Sequence, residues 1–140
     1  MEENPYTIRL ETIARQFGIN EIYVFGSRAE EIAARFRGVT VPARFHGADV
    51  DIGAQPEPGK TLSIQEKVRL TIALEDFLDV ARVDLVVIPE ADPFLAAEVI
   101  RGALLYCSDP DDQADNELYI LRRAGDLAHY KRERIQSILS

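Results

Sequence analysis

Three short stretches of the chain carry residue types suited to chemistry at phosphorus. Gly26-Ser27 closes the strand-like run Ile22-Tyr23-Val24-Phe25. Asp49-Val50-Asp51 opens a second apolar run, and Asp84 stands near the start of Val83-Asp84-Leu85-Val86-Val87-Ile88. Alternate strand residues share a face, so Asp49 and Asp51 are expected to project together while Val50 and Ile52 turn into a core. Two carboxylates held a few ångströms apart repel, and burial raises the penalty. A divalent cation relieves it, and magnesium in particular takes one or two carboxylates with phosphate oxygens and water. If the strand bearing Asp84 neighbours the first, a third carboxylate joins them. Three carboxylates can hold two ions, which suits in-line displacement at a phosphorus atom.

Gly26-Ser27 supplies the other half of such a site. Glycine lets the backbone approach a phosphate, and the amides opening the next helix face the anion with the helix dipole behind them. The Ser27 hydroxyl adds a donor, whereas Arg28 either adds charge or points to solvent. Each piece alone is weak. Asp109-Pro110-Asp111 repeats the Asp-x-Asp spacing in what reads as a loop. The weight rests on the order: strand, Gly-Ser, helix, strand-borne Asp-x-Asp, then a third Asp on an apolar strand.

The elements that must position these residues alternate between helix and strand, which predicts an α+β layer fold with one mixed sheet and flanking helices. Asn4-Pro5 reads as cap and first residue of a helix that turns Ile8, Ile13 and Phe17 inward and stops near Gly18. A strand over residues 21–25 leads into a helix over residues 28–37, carrying Ile32, Ala33 and Phe36. After a connection over residues 38–47 comes a strand over 49–54, ended by Gln55-Pro56-Glu57-Pro58-Gly59. Ser63 and Glu66 have capping-box spacing for a helix reaching about Leu78, with Ile64, Val68, Leu74 and Phe77 available for burial. Val83 to Ile88 has the β-branched character of a well-buried strand. Asp92-Pro93 starts another helix, and residues 103–107 a last strand. Residues 108–115 form an acidic turn. A final helix over about 116–139 offers Leu118, Leu121, Leu127, Ile135 and Ile138.

Composition bounds the partners. At 140 residues, the chain is expected to form a single domain with a real core. A formal net charge of -8 argues against general nucleic-acid binding. The charge is uneven, because Arg122, Arg123, Lys131, Arg132 and Arg134 crowd the last helix. No run is long and apolar enough for a membrane span, and the start Met1-Glu2-Glu3-Asn4 is unlike a signal peptide. With a lone Cys107, a reducing cytoplasm is the expected compartment.

At Phe25-Gly26-Ser27-Arg28-Ala29, Ala48-Asp49-Val50-Asp51-Ile52 and Val83-Asp84-Leu85-Val86, the sequence resembles the DNA polymerase β-like nucleotidyltransferases. It looks most like their minimal members, the MNT antitoxins of prokaryotic HEPN/MNT toxin–antitoxin systems. Residues 97–106 are similar to that family's late helix-and-strand unit, so the likeness runs from about residue 5 to 107. The resemblance implies the polymerase β-like fold, ATP as substrate, Mg2+ as cofactor (two ions), and transfer of AMP to a hydroxyl. In MNT antitoxins the acceptor is a tyrosine of the cognate HEPN ribonuclease toxin, which the modification silences.

On that basis Asp49 and Asp51 would bind both ions, and Asp84 would help hold the one activating the acceptor. Gly26 and Ser27 would place the triphosphate, with Arg28 a further nucleotide-binding candidate. The connection over residues 36–47, containing or flanked by Arg35, Arg37, Arg44 and His46, is longer than in minimal members. It is either a loop beside the nucleotide or a tolerated insertion. Two other readings stand beside the transferase. One is a non-catalytic antitoxin that covers its toxin, with Tyr119 and Tyr130 on the docking helix. The other is a small-molecule nucleotidyltransferase, for which no second domain is evident. Oligomeric state is left open.

Overall fold

In the computed structural model, which describes residues 4–41 and 47–139, a four-stranded sheet is flanked by helices on both faces. The order is α1 (Pro5–Phe17), β1 (Ile19–Phe25), α2 (Ala29–Phe36), β2 (Val50–Pro56), α3 (Ile64–Leu78), β3 (Val83–Val87), a 3-10 turn (Ile88–Glu90), α4 (Pro93–Ile100), β4 (Ala103–Cys107) and α5 (Pro110–Leu139). The strands lie in the order β3-β2-β1-β4. β1 pairs antiparallel with β2 and β4, while β2 and β3 run parallel through the α3 crossover.

Alternation divides the side chains between two cores. Ile22, Val24, Val50, Ile52, Ala54, Val83 and Val87 face α1, α2 and α3. Tyr23, Phe25, Val86 and Ile88 face α4 and the first half of α5. Period-2 geometry therefore places Asp51 and Asp84 on the α4 side of the sheet, with Gly53 and Gln55. α4 lies close there because a Cβ at Gly53 would overlap Val99 Cγ1.

Local signals hold where they involve caps. Asn4 accepts from Tyr6 N, Gly18 ends α1 in the left-handed region at φ 66°, and Ser63 with Glu66 closes a reciprocal capping box. Burial is where the expectations fail. Ile8, Ile64 and Val68 are exposed, and Leu10, Ala14, Leu70 and Leu78 take the core. β3 is an edge strand, so its middle residues are not fully buried. The presumed acidic turn is already helix. Asp109 Oδ1 accepts from Asp111 N at 2.9 Å, and Pro110 starts α5, six residues earlier than about 116. On α5, Ile120 and Ala124 are buried, whereas Leu118, Leu121 and Ile135 are exposed.

The first turns of α5 are tied to β1 by polar groups. Glu21, only 2% exposed, accepts from Asn116 Nδ2 at 2.8 Å. The Tyr23 hydroxyl donates to Glu117 at 3.0 Å and accepts from Gln113 Nε2 at 3.4 Å. Burial pushes the Glu21 carboxyl above its ordinary range, while the Asn116 and Tyr23 hydrogen bonds pull the other way.

Candidate active site

Phe25 pairs with Asp51 across β1 and β2, so the residue after Phe25 necessarily stands beside that carboxylate. That residue is Gly26, at φ +77°, where a Cβ would overlap Asp51 Oδ2. Backbone conformation and space both demand glycine here. Ala29 N donates to Gly26 O at 3.2 Å, closing the turn into α2. Ser27 is exposed, and among the described residues no side chain caps the start of α2, which leaves its first amides open to an anion.

Arg28 is engaged within the protein. Its guanidinium donates twice to Glu31, at 3.1 and 2.8 Å, and once to Ala48 O at 3.1 Å. Those two side chains are 10% and 12% exposed. The Glu31 carboxyl is held below its ordinary range chiefly by the Arg28 hydrogen bonds. Arg28 thus joins the start of α2 to the residue preceding Asp49.

Asp49 lies just before β2, exposed, with Oδ1 4.0 Å from Arg82 Nε. Asp51 is half-buried in β2, and Asp84 is its direct partner in the parallel pairing with β3. The adjacency that Asp84 needed is therefore present. Burial, then Asp84, Asp49 and Glu98 in that order, raise the Asp51 carboxyl above its ordinary range.

Two of these neighbours were not singled out from sequence. Arg82 follows from simple register: with Asp51 opposite Asp84, the residue opposite Asp49 lies two before Asp84. Glu98 gives no local signal, since it reaches Asp51 only through the packing of α4 on Gly53. Arg44 and His46 of the long connection lie outside the described residues.

Among the described residues, no three acidic, His or Cys side chains converge tightly enough to form a ready ion cage. The donor chemistry nevertheless fits magnesium. Asp51 and Asp84 are adjacent hard oxygen donors whose mutual repulsion a cation would relieve, and Asp49 is exposed and free to turn from Arg82. A depression of about 220 Å³ adjoins Asp49, lined also by Arg28, Val80 and Arg82 among others.

The sheet thus sets a strand-borne carboxylate pair beside a Gly-Ser turn. Residues 9–111 match the family described as polymerase beta, nucleotidyltransferase, and the chain belongs to that family. Solved structures share the fold. A mutant MntA–HepT toxin–antitoxin chain matches with a TM-score of 0.68 at 19% identity, covering 96% of this chain and 98% of the other. A toxin–antitoxin structure with AMP-PNP matches with a TM-score of 0.67 at 20% identity, covering 96% and 98%. A structure of tri-AMPylated HEPN toxin in complex with MNT antitoxin, from Shewanella oneidensis, matches with a TM-score of 0.60 at 21% identity, covering 99% and 100%. No curated protein sequence matches the chain. Among the described residues no helix is long and apolar enough to cross a membrane.

Proposed function

We propose that the chain is a magnesium-dependent adenylyltransferase of the cytoplasm, an antitoxin that transfers AMP from ATP to a tyrosine of a cognate HEPN ribonuclease toxin. The observation that carries this reading is the register of Asp51 opposite Asp84, beside a Gly26 whose missing Cβ makes room for the Asp51 carboxylate.

In this mechanism the amides after Gly26 and the Ser27 hydroxyl hold the triphosphate at the start of α2. Arg28 keeps the turn and the approach to Asp49 fixed through Glu31 and Ala48 O, a positioning role. Asp49, Asp51 and Asp84 would hold magnesium, which when bound supplies Lewis-acid polarisation of the phosphate and of the acceptor hydroxyl. The acceptor oxygen forms a bond to the α-phosphorus as the bond to pyrophosphate breaks, and the hydroxyl proton passes to solvent. Rate comes from alignment and charge neutralisation.

The test is incubation of the chain with ATP, magnesium and its cognate HEPN-type toxin, read by intact mass. One or more added AMP units on a tyrosine is the expected result. An unmodified partner, under conditions where the two proteins are folded and bound, refutes the reaction. A second reading, in which the antitoxin acts by binding alone, draws support from the exposed aliphatic and aromatic side chains of α3 and α5. Asp49→Asn with Asp51→Asn separates the two: retained binding with lost protection supports transfer, and full protection supports binding alone.

A further inference from the structure

Three of the aliphatic side chains left exposed on the body of the fold form a line. Ile64, Val68 and Ile72 are 80%, 53% and 51% exposed, at successive i, i+4 positions of α3. Such spacing makes one continuous stripe on a helix. The stripe does not stand alone. Val68 and Ile72 border a depression of about 330 Å³ whose opposite wall is Leu85 and Asp84 of β3. A contiguous apolar patch of this kind marks an interaction surface more often than isolated exposed residues do.

The far wall has its own binding capacity. Among the described residues β3 pairs with β2 alone, so its outer edge has no strand partner. Val50 N donates to Arg82 O, and Val83 N instead donates outward to Glu75. Alternation then turns the N–H and C=O of Leu85 off the edge, beside the stripe. Apolar side chains next to free strand groups are what an added polypeptide segment requires.

We propose that this groove between α3 and the edge of β3 is where the protein acceptor docks, through a segment carrying apolar and basic side chains. The proposal rests on the transferase reading and names the surface that serves it. Two observations select the occupant. First, the β3 wall of the groove includes Asp84, the register partner of Asp51; the two carboxylates stand on the α4 face, so a segment running along the outer edge of β3 passes beside them rather than over them. Second, the charge is acidic on this side. Glu75 and Asp76 follow the stripe on α3 and Asp84 lines the groove, Lys67 is already paired with Glu90, and Arg69 is the one other base of α3. The domain as a whole is acidic, with net -11 for residues 1–121 against +3 for residues 122–140. A basic segment is attracted and a second acidic body is repelled.

The test uses the full chain with Val68→Glu and Ile72→Glu together. Both positions are more than half exposed, so the fold is expected to survive, and the melting temperature checks this. Affinity for the cognate HEPN-type toxin is measured directly by fluorescence anisotropy, separately from AMP transfer. Tenfold or greater weakening of binding is expected, with a matching rise in KM for that protein, unchanged kcat at saturation and unchanged affinity for magnesium-ATP. Unchanged binding and KM overturn the proposal. So does a variant that loses self-association in light scattering while binding its partner normally, because the groove then joins two copies of the chain. A wild-type chain that binds its partner but transfers nothing sinks the reaction, and the binding comparison still decides the surface.

Discussion

Replacing Gly26 with Ala separates two consequences of one missing Cβ. The first is conformational. At φ +77° an alanine carries the left-handed penalty of about 1–2 kcal/mol. The second is spatial, because the new methyl would overlap Asp51 Oδ2 and the carboxylate must move. Gly59 isolates the first effect: its φ is +79°, and a Cβ there meets nothing within 4 Å. Gly59→Ala should therefore lose about 1–2 kcal/mol of stability by the same left-handed penalty and keep full transfer activity. Gly26→Ala should lose a similar amount of stability and in addition transfer AMP roughly 10²-fold more slowly, the effect of an ångström of misalignment. That rate loss corresponds to about 2.7 kcal/mol at the transition state. Denaturant unfolding of both variants, with label transfer from α-labelled ATP measured well below their melting temperatures, supplies the comparison. Equal activity in the two alanine variants would refute the argument that Gly26 serves Asp51.

Asp84→Asn should leave the melting temperature nearly unchanged, since Asp84 is exposed, while transfer falls by roughly 10²-fold or more, of the order seen on removing one transition-state stabiliser; a thermal melt and an initial-rate assay check both. Arg28→Met removes the hydrogen bonds to Glu31 and Ala48 O, and should destabilise the fold by roughly 1–3 kcal/mol by leaving Glu31 with only Arg35. Urea unfolding reads this loss. For Glu21 the sign follows from its raised carboxyl, which the fold favours in the protonated form. Its contribution is complete below the unfolded carboxylate range and is lost as pH rises through the folded value. The groups facing it are Tyr23, Asn116, Glu117 and Asp112. Glu21→Gln should therefore gain in melting temperature relative to wild type as pH rises from acid toward neutral; a difference between the two proteins that does not change with pH would refute this assignment.

The parts of the site legible in sequence were those with local causes. Gly26 follows from a strand turning at once into a helix, and the inward turn of Val50 and Ile52 beside Asp51 from strand alternation; Asp49, expected on the same strand, falls just before β2. Caps at Asn4, Ser63 and Asp92 were equally local, and all three accept hydrogen bonds as their positions suggest. Asp84 was different: its place depended on which strand became the neighbour of β2, a property of the whole topology. Helix faces were harder to read, because α1 and α3 carry more aliphatic residues than they bury. Counting them admitted Ile8, Ile64 and Val68, although Leu10 and Leu70 occupy the inward face. The start of α5 was hidden by Asp-Pro and clustered acids, which suit turns and helix N-termini alike. Glu21 found Asn116, 95 residues away, and no short-range pattern announces such a partner.

The parallel pairing of β2 with β3 also sets when the site exists. Parallel neighbours need a crossover, so Asp51 and Asp84 meet only after α3 has folded and the chain has returned to the edge of the sheet. During synthesis the carboxylate cluster therefore stays incomplete until the segment beyond residue 87 has emerged. In the finished protein, local opening of the half-exposed edge strand would dissolve the cluster while leaving the central antiparallel β1–β2 pair in place. Amide exchange at Asp84 and Val86, rather than global stability, then measures how long each molecule remains competent.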